Sequence, residues 1–258
     1  MTVLEACMPL VRTRIANLAE LTKPRITLLI LLTALLGFYL GSGRSFGLML
    51  IPLLAGTSLV SAGCNALNQY LERDADARMR RTEKRPLPAG RIRPAEALVF
   101  SLLLSASGLL ILGWLVNGLT AALAATTLAS YAWAYTPLKR RTSLSTVVGA
   151  IPGALPPVGG WAAATGRLDT GAAVLFGIVF LWQIPHFLAI GHLYRDDYRR
   201  GGMRMLPAID IAGRATSGQV LLYTAALIPV SLMPASLGLA GGLYLVGALL
   251  LGIPFAWV

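Results

Sequence analysis

Apolar residues in this chain come in long uninterrupted blocks separated by short polar stretches, and that pattern predicts its architecture. The first block opens at Pro24 and runs to about Tyr39; proline suits a first helical turn because its missing N–H has no intrahelical partner there. The second covers roughly 46 to 72, the third about Glu96 to Val116, and Asn117-Gly118 then turns the chain into a fourth, 119 to 136. Thr136-Pro137 is expected to end that helix. The fifth, about 143 to 164, contains Pro152, Pro156 and Pro157 and should be kinked, which membrane helices permit when neighbours satisfy the freed backbone groups. Its Gly149-xxx-Gly153 pair suggests close helix packing. Blocks at 171–194, 218–238 and 241–258 complete eight expected spans, most of them near the roughly 20 residues that cross a bilayer core. The fold class is therefore all-α, a polytopic transmembrane bundle over residues 24–258. Residues 1–23, with Arg12, Arg14, Glu20 and Lys23, form a mildly amphipathic segment expected along the interface.

Composition agrees, since 56% of the 258 residues are hydrophobic and only 13% charged. A net charge of +11 would suggest nucleic acid in a soluble protein. Here its distribution points elsewhere. Of the 22 basic residues, only Arg44 and Arg167 fall in the loops assigned to one side; the rest lie in 1–25, 73–93, 139–141 and 195–214. The positive-inside rule makes those segments the cytoplasmic side of a multi-pass protein, and a bacterial cytoplasmic membrane is the preferred location. Cys7 and Cys64 are too few and too far apart for a disulfide framework or zinc site. The first 23 residues lack the apolar core and small-residue cleavage site of a signal peptide.

The carboxylates follow the same segregation. Asn68, Glu72 and Asp76 stand four apart, so on a helix one amide and two acids line one face over about 12 Å. Oxygen donors of this kind suit Mg²⁺, which is held by few carboxylates together with substrate phosphates. A helix end that merely solvates itself is the bland alternative, but Asn68 and Glu72 sit where the apolar run would continue, and polar groups there are costly. Arg73, Arg78, Arg80, Arg81, Lys84 and Arg85 follow closely, cations suited to phosphate. Asp196 and Asp197 make a second acidic turn; they either pair with Arg195, Arg199 and Arg200 or share a metal–diphosphate cluster with the first. Tyr135 and Lys139 read equally as belt residue plus inward lysine or as diphosphate contacts, with Arg140 beside them. Trp182, Gln183 and His186 lie within the sixth span, where a histidine is either a structural hydrogen-bonder, a metal ligand or a proton carrier.

Taken together, Asn68-xxx-Glu72-xxx-Asp76, Tyr135-xxx-Lys139 and the loop after the sixth span resemble the signature of the UbiA superfamily of intramembrane prenyltransferases. Lys23-Pro-Arg25, Arg80-Arg-Thr82 with Arg85-Pro-Leu87, Tyr135-Thr-Pro-Leu-Lys139 and Gly149 to Trp161 narrow the likeness to the branch that prenylates heme. So do Trp182-Gln-Ile-Pro-His-Phe187, Asp197-Tyr-Arg-Arg-Gly-Gly202 and Met205-Leu-Pro207. The resemblance implies a helical bundle around a central cavity open to lipid, with Mg²⁺ and farnesyl diphosphate between two acidic motifs on the cytoplasmic side. It makes Asn68, Glu72 and Asp76 the first metal site, Asp197 with Asp196 the second, and Lys23, Arg25, Arg81, Arg85, Tyr135, Lys139 and Arg140 the diphosphate contacts. Trp182, Gln183, His186 and Tyr198 fall to heme B, the acceptor, and contact with heme A synthase or oxidase assembly factors is implied. This chain departs from the superfamily in having Glu72 where Asp is common and in lacking the usual second Asp-xxx-Asp, with His192 before Asp196 and Gly201 after Asp197. Nine spans are typical there, one more than counted here.

Three other readings stand beside this one on the residues alone. The acceptor could be a quinone precursor or chlorophyllide. A small transporter would instead spread polar groups through the bilayer depth and over both faces, whereas here they gather at one face, with Gln183 and His186 the deepest exceptions. An assembly factor without catalysis leaves the two acidic sites unexplained.

Overall fold

The computed structural model describes the backbone of residues 3–255 and the side chains of 11–252. Every regular element among the described residues is helical: α1 (Val3–Thr22), α2 (Pro24–Gly41), α3 (Leu50–Asp76), α4 (Pro94–Leu115), α5 (Gly118–Ala129), a π-helical stretch (Ser130–Tyr135), α6 (Thr136–Leu138), α7 (Ser145–Thr165), α8 (Thr170–Leu193), α9 (Arg195–Arg200), α10 (Leu206–Ile209), α11 (Arg214–Ser236) and α12 (Gly242–Phe255). Six of them, α2, α3, α4, α7, α8 and α11, are long and apolar enough to cross a membrane. The expected fourth span is present but segmented, and α12 runs up to the last described residues of the expected eighth. The last residues of the expected eighth span lie outside the described ones.

The fourth span ends at Leu138, one residue past Thr136-Pro137, and its last turns are not plain α-helix. A proline inside a helix lacks one N–H and its ring collides with the carbonyl four residues back. The chain meets this by widening into π-helix over the preceding turn, where Thr136 N–H donates to Tyr131 O, and then continuing as α6. The three prolines of α7 are likewise carried within one continuous helix.

Small residues set how closely the spans approach. At Gly160 a Cβ would fall 1.9 Å from Ala34 O, and at Gly37 another would fall 1.9 Å from Pro157 O, so α2 and α7 touch backbone to backbone. Gly56 and Gly108 do the same for α3 against α4. Gly149 and Gly153, expected to serve such an approach, instead make room for side chains, the Tyr135 ring and the Gln183 amide. Leucines such as Leu28, Leu29, Leu32 and Leu36 on α2 and Leu102 and Leu103 on α4 face outward, as a lipid-exposed surface requires.

The basic segments meet at one end of the bundle. Arg91 donates to Asn17, Glu20 and the Lys84 carbonyl, Arg14 pairs with Glu96, Arg78 donates to Gly201 O, and Arg204 N–H donates to Lys139 O at 2.7 Å. At the opposite end Arg44 donates to Leu239 O and Arg167 pairs with Asp169.

Candidate functional site

The site is assembled on the last three turns of α3. Asn68, Glu72 and Asp76 project from the buried face, with relative exposures of 3, 5 and 1%. Their neighbours on the same helix fix its position: Gln69 donates to Leu21 O at 2.9 Å and Asn65 to Thr22 O at 3.2 Å, satisfying carbonyls that the end of α1 leaves open. This docking holds Lys23 at the site. Its backbone adopts the left-handed conformation (φ 47°, ψ 67°), unusual for a residue with a side chain. The turn brings Lys23 Nζ within 3.4 Å of Asn68 Oδ1.

Each acid of the ladder has a cation against it. Lys139 Nζ donates to Glu72 Oε1 at 2.8 Å, and Arg85 donates to Asp76 Oδ2 at 2.7 Å. Asp76 Oδ1 is buried and has no hydrogen-bond partner. Lys139 also sits over the Tyr135 ring, 4.2 Å from its centroid, and Tyr131 packs against Tyr135 with centroids 5.0 Å apart. Thr136 Oγ1 donates to Tyr131 O at 2.9 Å across the π-turn, and Asn68 Nδ2 donates to that hydroxyl at 3.5 Å. The π-turn thus brings Tyr131, Tyr135, Thr136 and Lys139 to the carboxylate ladder together.

These surroundings shift the lysines in opposite directions. Burial, with Arg85 and Lys139 adding to it, lowers the pKa of Lys23 to about 8, partly offset by Glu72 and Asp76. For Lys139 burial also disfavours the charge, but the adjoining Glu72 carboxylate outweighs it and holds the ammonium well above the ordinary lysine value.

The second acidic turn is packed against the first. Asp197, 8% exposed, accepts from the backbone N–H groups of Arg80 and Arg81 at 3.2 Å each and pairs with Arg200. These donors overcome the cost of burial and hold its carboxyl below the usual aspartate range. Thr82 Oγ1 donates to Asp76 O at 2.9 Å, so the turn from Asp76 to Thr82 is tied to both acidic motifs. Met79, Met203, Met205, Ala75 and Ala208 pack behind it with Tyr198. The two turns meet, but Asp197 spends both oxygens on this turn and on Arg200. Among the described residues no group of three or more acidic, histidine or cysteine side chains is gathered as a metal site.

Other expected site residues lie elsewhere. Asp196 is exposed, between Arg195 and Arg199. Arg25 and Arg140 are exposed at the surface, and Arg81 lies over the Tyr194 ring at 4.8 Å. Arg140 and Arg141 rim a cavity of about 270 Å³ lined by Leu71, Glu72, Ala132, Thr136 and Pro137, which reaches the ladder from the side. Trp182 and His186 stack with centroids 4.9 Å apart on an exposed stripe of α8, whereas Gln183 is buried and faces Gly153. These aromatics and the amide therefore do not share one wall. Thr136 and Tyr131 had no sequence signal beyond their nearness to Tyr135 and Lys139.

A sequence profile of the UbiA prenyltransferase family matches residues 30–258. The chain belongs to the UbiA prenyltransferase family. It is 50% identical over 248 residues to a protoheme IX farnesyltransferase of Solibacter usitatus (strain Ellin6076), covering 92% of this chain and 85% of that protein. A protoheme IX farnesyltransferase of Koribacter versatilis (strain Ellin345) is 45% identical over 255 residues, covering 97% and 82%. Among solved structures, that of digeranylgeranylglyceryl phosphate synthase superposes with a TM-score of 0.78 at 18% identity, covering 94% of this chain and 85% of the other. A UbiA homologue from Archaeoglobus fulgidus bound to GPP and Mg²⁺ gives a TM-score of 0.71 at 16% identity, covering 92% and 86%. This chain is thus a membrane prenyltransferase with the UbiA fold, similar to protoheme IX farnesyltransferases.

Proposed function

We propose that the protein transfers the farnesyl group of farnesyl diphosphate to a vinyl group of heme B, giving heme O, with Mg²⁺ held at the α3 ladder. The observation behind this is the buried row of Asn68, Glu72 and Asp76 facing Lys23, Lys139 and Arg85, oxygen donors against phosphate-binding cations at one end of an apolar bundle. The donor set fits the metal: two carboxylates and an amide oxygen, with Asp76 Oδ1 buried and unpartnered, leave the remaining positions to phosphate and water. Asp197, on the facing turn, is proposed to complete the diphosphate end. When bound, Mg²⁺ would neutralise charge developing on the leaving diphosphate.

The chain's own residues account for the rest. Lys139, Arg85 and Lys23 bind diphosphate oxygens, and their attraction strengthens as the allylic C–O bond breaks and its electron pair passes to the leaving group. Apolar helices exclude water from the farnesyl cation until the vinyl π pair has formed the new C–C bond. Water then adds to the cation left on the heme substituent and releases a proton. Tyr135 is held against Gly149 and keeps Lys139 aimed across its ring. Gln183, buried within the bundle, and Tyr198, beside the second acidic turn, are proposed acceptor contacts, while the Trp182–His186 stack offers a flat ring pair on the lipid side. We place the protein in the bacterial cytoplasmic membrane with the ladder facing the cytoplasm, as its basic segments, gathered at that end, support.

Purified protein incubated with farnesyl diphosphate, heme B and Mg²⁺ should yield a product with the mass of heme O. Asp76→Ala and Asn68→Ala should abolish transfer while the protein stays membrane-inserted. Wild-type rates in either variant would refute the metal assignment.

A further inference from the structure

The ladder has a property that a standing metal site would not have: both of its carboxylates already hold cations. Glu72 is engaged by Lys139 at 2.8 Å and Asp76 by Arg85 at 2.7 Å, while Lys23 lies 3.4 Å from the Asn68 oxygen. Lys23 is also within electrostatic reach of Arg85, Lys139, Glu72 and Asp76, so the five charges form one cluster. Three are positive and two negative. Lys139 and Glu72 are both nearly buried, with side-chain exposures of 11 and 7%, so water does little to screen them. A divalent cation entering this cluster alone would have to displace Lys139 or Arg85 from its carboxylate and remain beside the displaced charge.

A diphosphate changes that balance. Its oxygens offer Lys139, Arg85 and Lys23 new partners of the geometry that ammonium and guanidinium groups favour. Once those cations turn to the phosphates, Glu72, Asp76 and the Asn68 oxygen are released toward the metal. Resting on the function proposed above, we infer that the protein excludes divalent metal until the prenyl diphosphate is present, and that Lys139 and Arg85 exchange from carboxylate to phosphate as the metal and the diphosphate enter together. No covalent step is involved. Metal and diphosphate must then raise each other's affinity by the same factor.

The test uses Mn²⁺ as an EPR-visible probe and farnesyl S-thiolodiphosphate as an unreactive diphosphate, with full-length protein in lipid nanodiscs and a protein-free control for chelation in solution. Wild type should bind Mn²⁺ at least about tenfold more tightly with the thiolodiphosphate than without it. The affinity for the thiolodiphosphate, read by tryptophan fluorescence, should rise by the same factor with Mn²⁺. Lys139→Met and Arg85→Met should each bind Mn²⁺ more tightly than wild type when no diphosphate is present, because one carboxylate is then unclaimed. If either variant fails to insert, the two wild-type titrations still decide. Equal Mn²⁺ affinity with and without the diphosphate would overturn the exchange while leaving the metal site standing. Absence of protein-bound Mn²⁺ even with the diphosphate would overturn the proposed metal site, and the exchange with it.

Discussion

Neutralising one member of the Lys139–Glu72 pair should be far more damaging than neutralising both. The two side chains are only 11 and 7% exposed, and their contact is 2.8 Å. In Lys139→Met the Glu72 carboxylate keeps its burial and loses its nearest counter-charge; breaking a buried pair in this way costs about 3–5 kcal/mol. Glu72 also borders the cavity of about 270 Å³, so water relieves part of the loss and the lower end applies. A loss of about 3 kcal/mol corresponds to a fall of roughly 6–12 °C in the thermal midpoint, at about 2–4 °C per kcal/mol for a chain of this size. Glu72→Gln, which leaves Lys139 uncompensated, should cost a similar amount. Lys139→Met/Glu72→Gln removes both charges and should return to within about 1 kcal/mol of wild type, because well-packed neutral replacements of a buried pair are often tolerated. Thermal unfolding of the four proteins in nanodiscs, followed by circular dichroism, gives the cycle. Prenyl transfer measured in parallel should remain lost in the double variant, separating stability from chemistry. Additive single effects, with the double variant the least stable of the four, would refute the pairing.

Other expectations rest on different parts of the molecule. In Gly149→Ala the added methyl would lie 2.4 Å from Tyr135 Cε2, so the ring must shift by about 1 Å and Lys139 loses its platform; prenyl transfer should fall at least about tenfold, with a destabilisation of about 1–3 kcal/mol typical of overpacking. Gly160→Ala would drive a methyl to 1.9 Å from Ala34 O, separating α2 from α7, and should lower the thermal midpoint more than Gly149→Ala does. Asp210 accepts from Thr216 N–H and Oγ1 at 2.7 and 2.8 Å at the start of α11, and these bonds hold its carboxyl below the usual range. Because the folded pKa is depressed, its contribution is present above the unfolded value near 3.9 and is lost as pH falls through the folded one. The gap in thermal midpoint between wild type and Asp210→Asn should therefore close on acidification from about pH 6 to below about 3.

Much of the architecture was legible because the bilayer is an exacting solvent. A helix that crosses it needs a long run without charge, so the apolar blocks marked α2, α3, α4, α7, α8 and α11 within a few residues of their observed ends, and the sorting of arginines and lysines assigned the loops to two sides. Helical periodicity likewise placed Asn68, Glu72 and Asp76 on one face, because side chains four apart on a single helix need no partner to line up. Relations between helices were not legible in this way. Nothing local distinguishes Gly149, which makes room for a phenol ring, from Gly160, which touches a backbone carbonyl. Nor could spacing show that a π-turn would precede Thr136-Pro137 at the end of its helix, or that Gln183 would turn inward while Trp182 and His186 face out. Which cation meets which acid depended on the docking of α1, the loop after α3 and the π-turn around one point. Glu72 and Lys139 are 67 positions apart, and only tertiary packing brings charges so distant in sequence within 3 Å of one another.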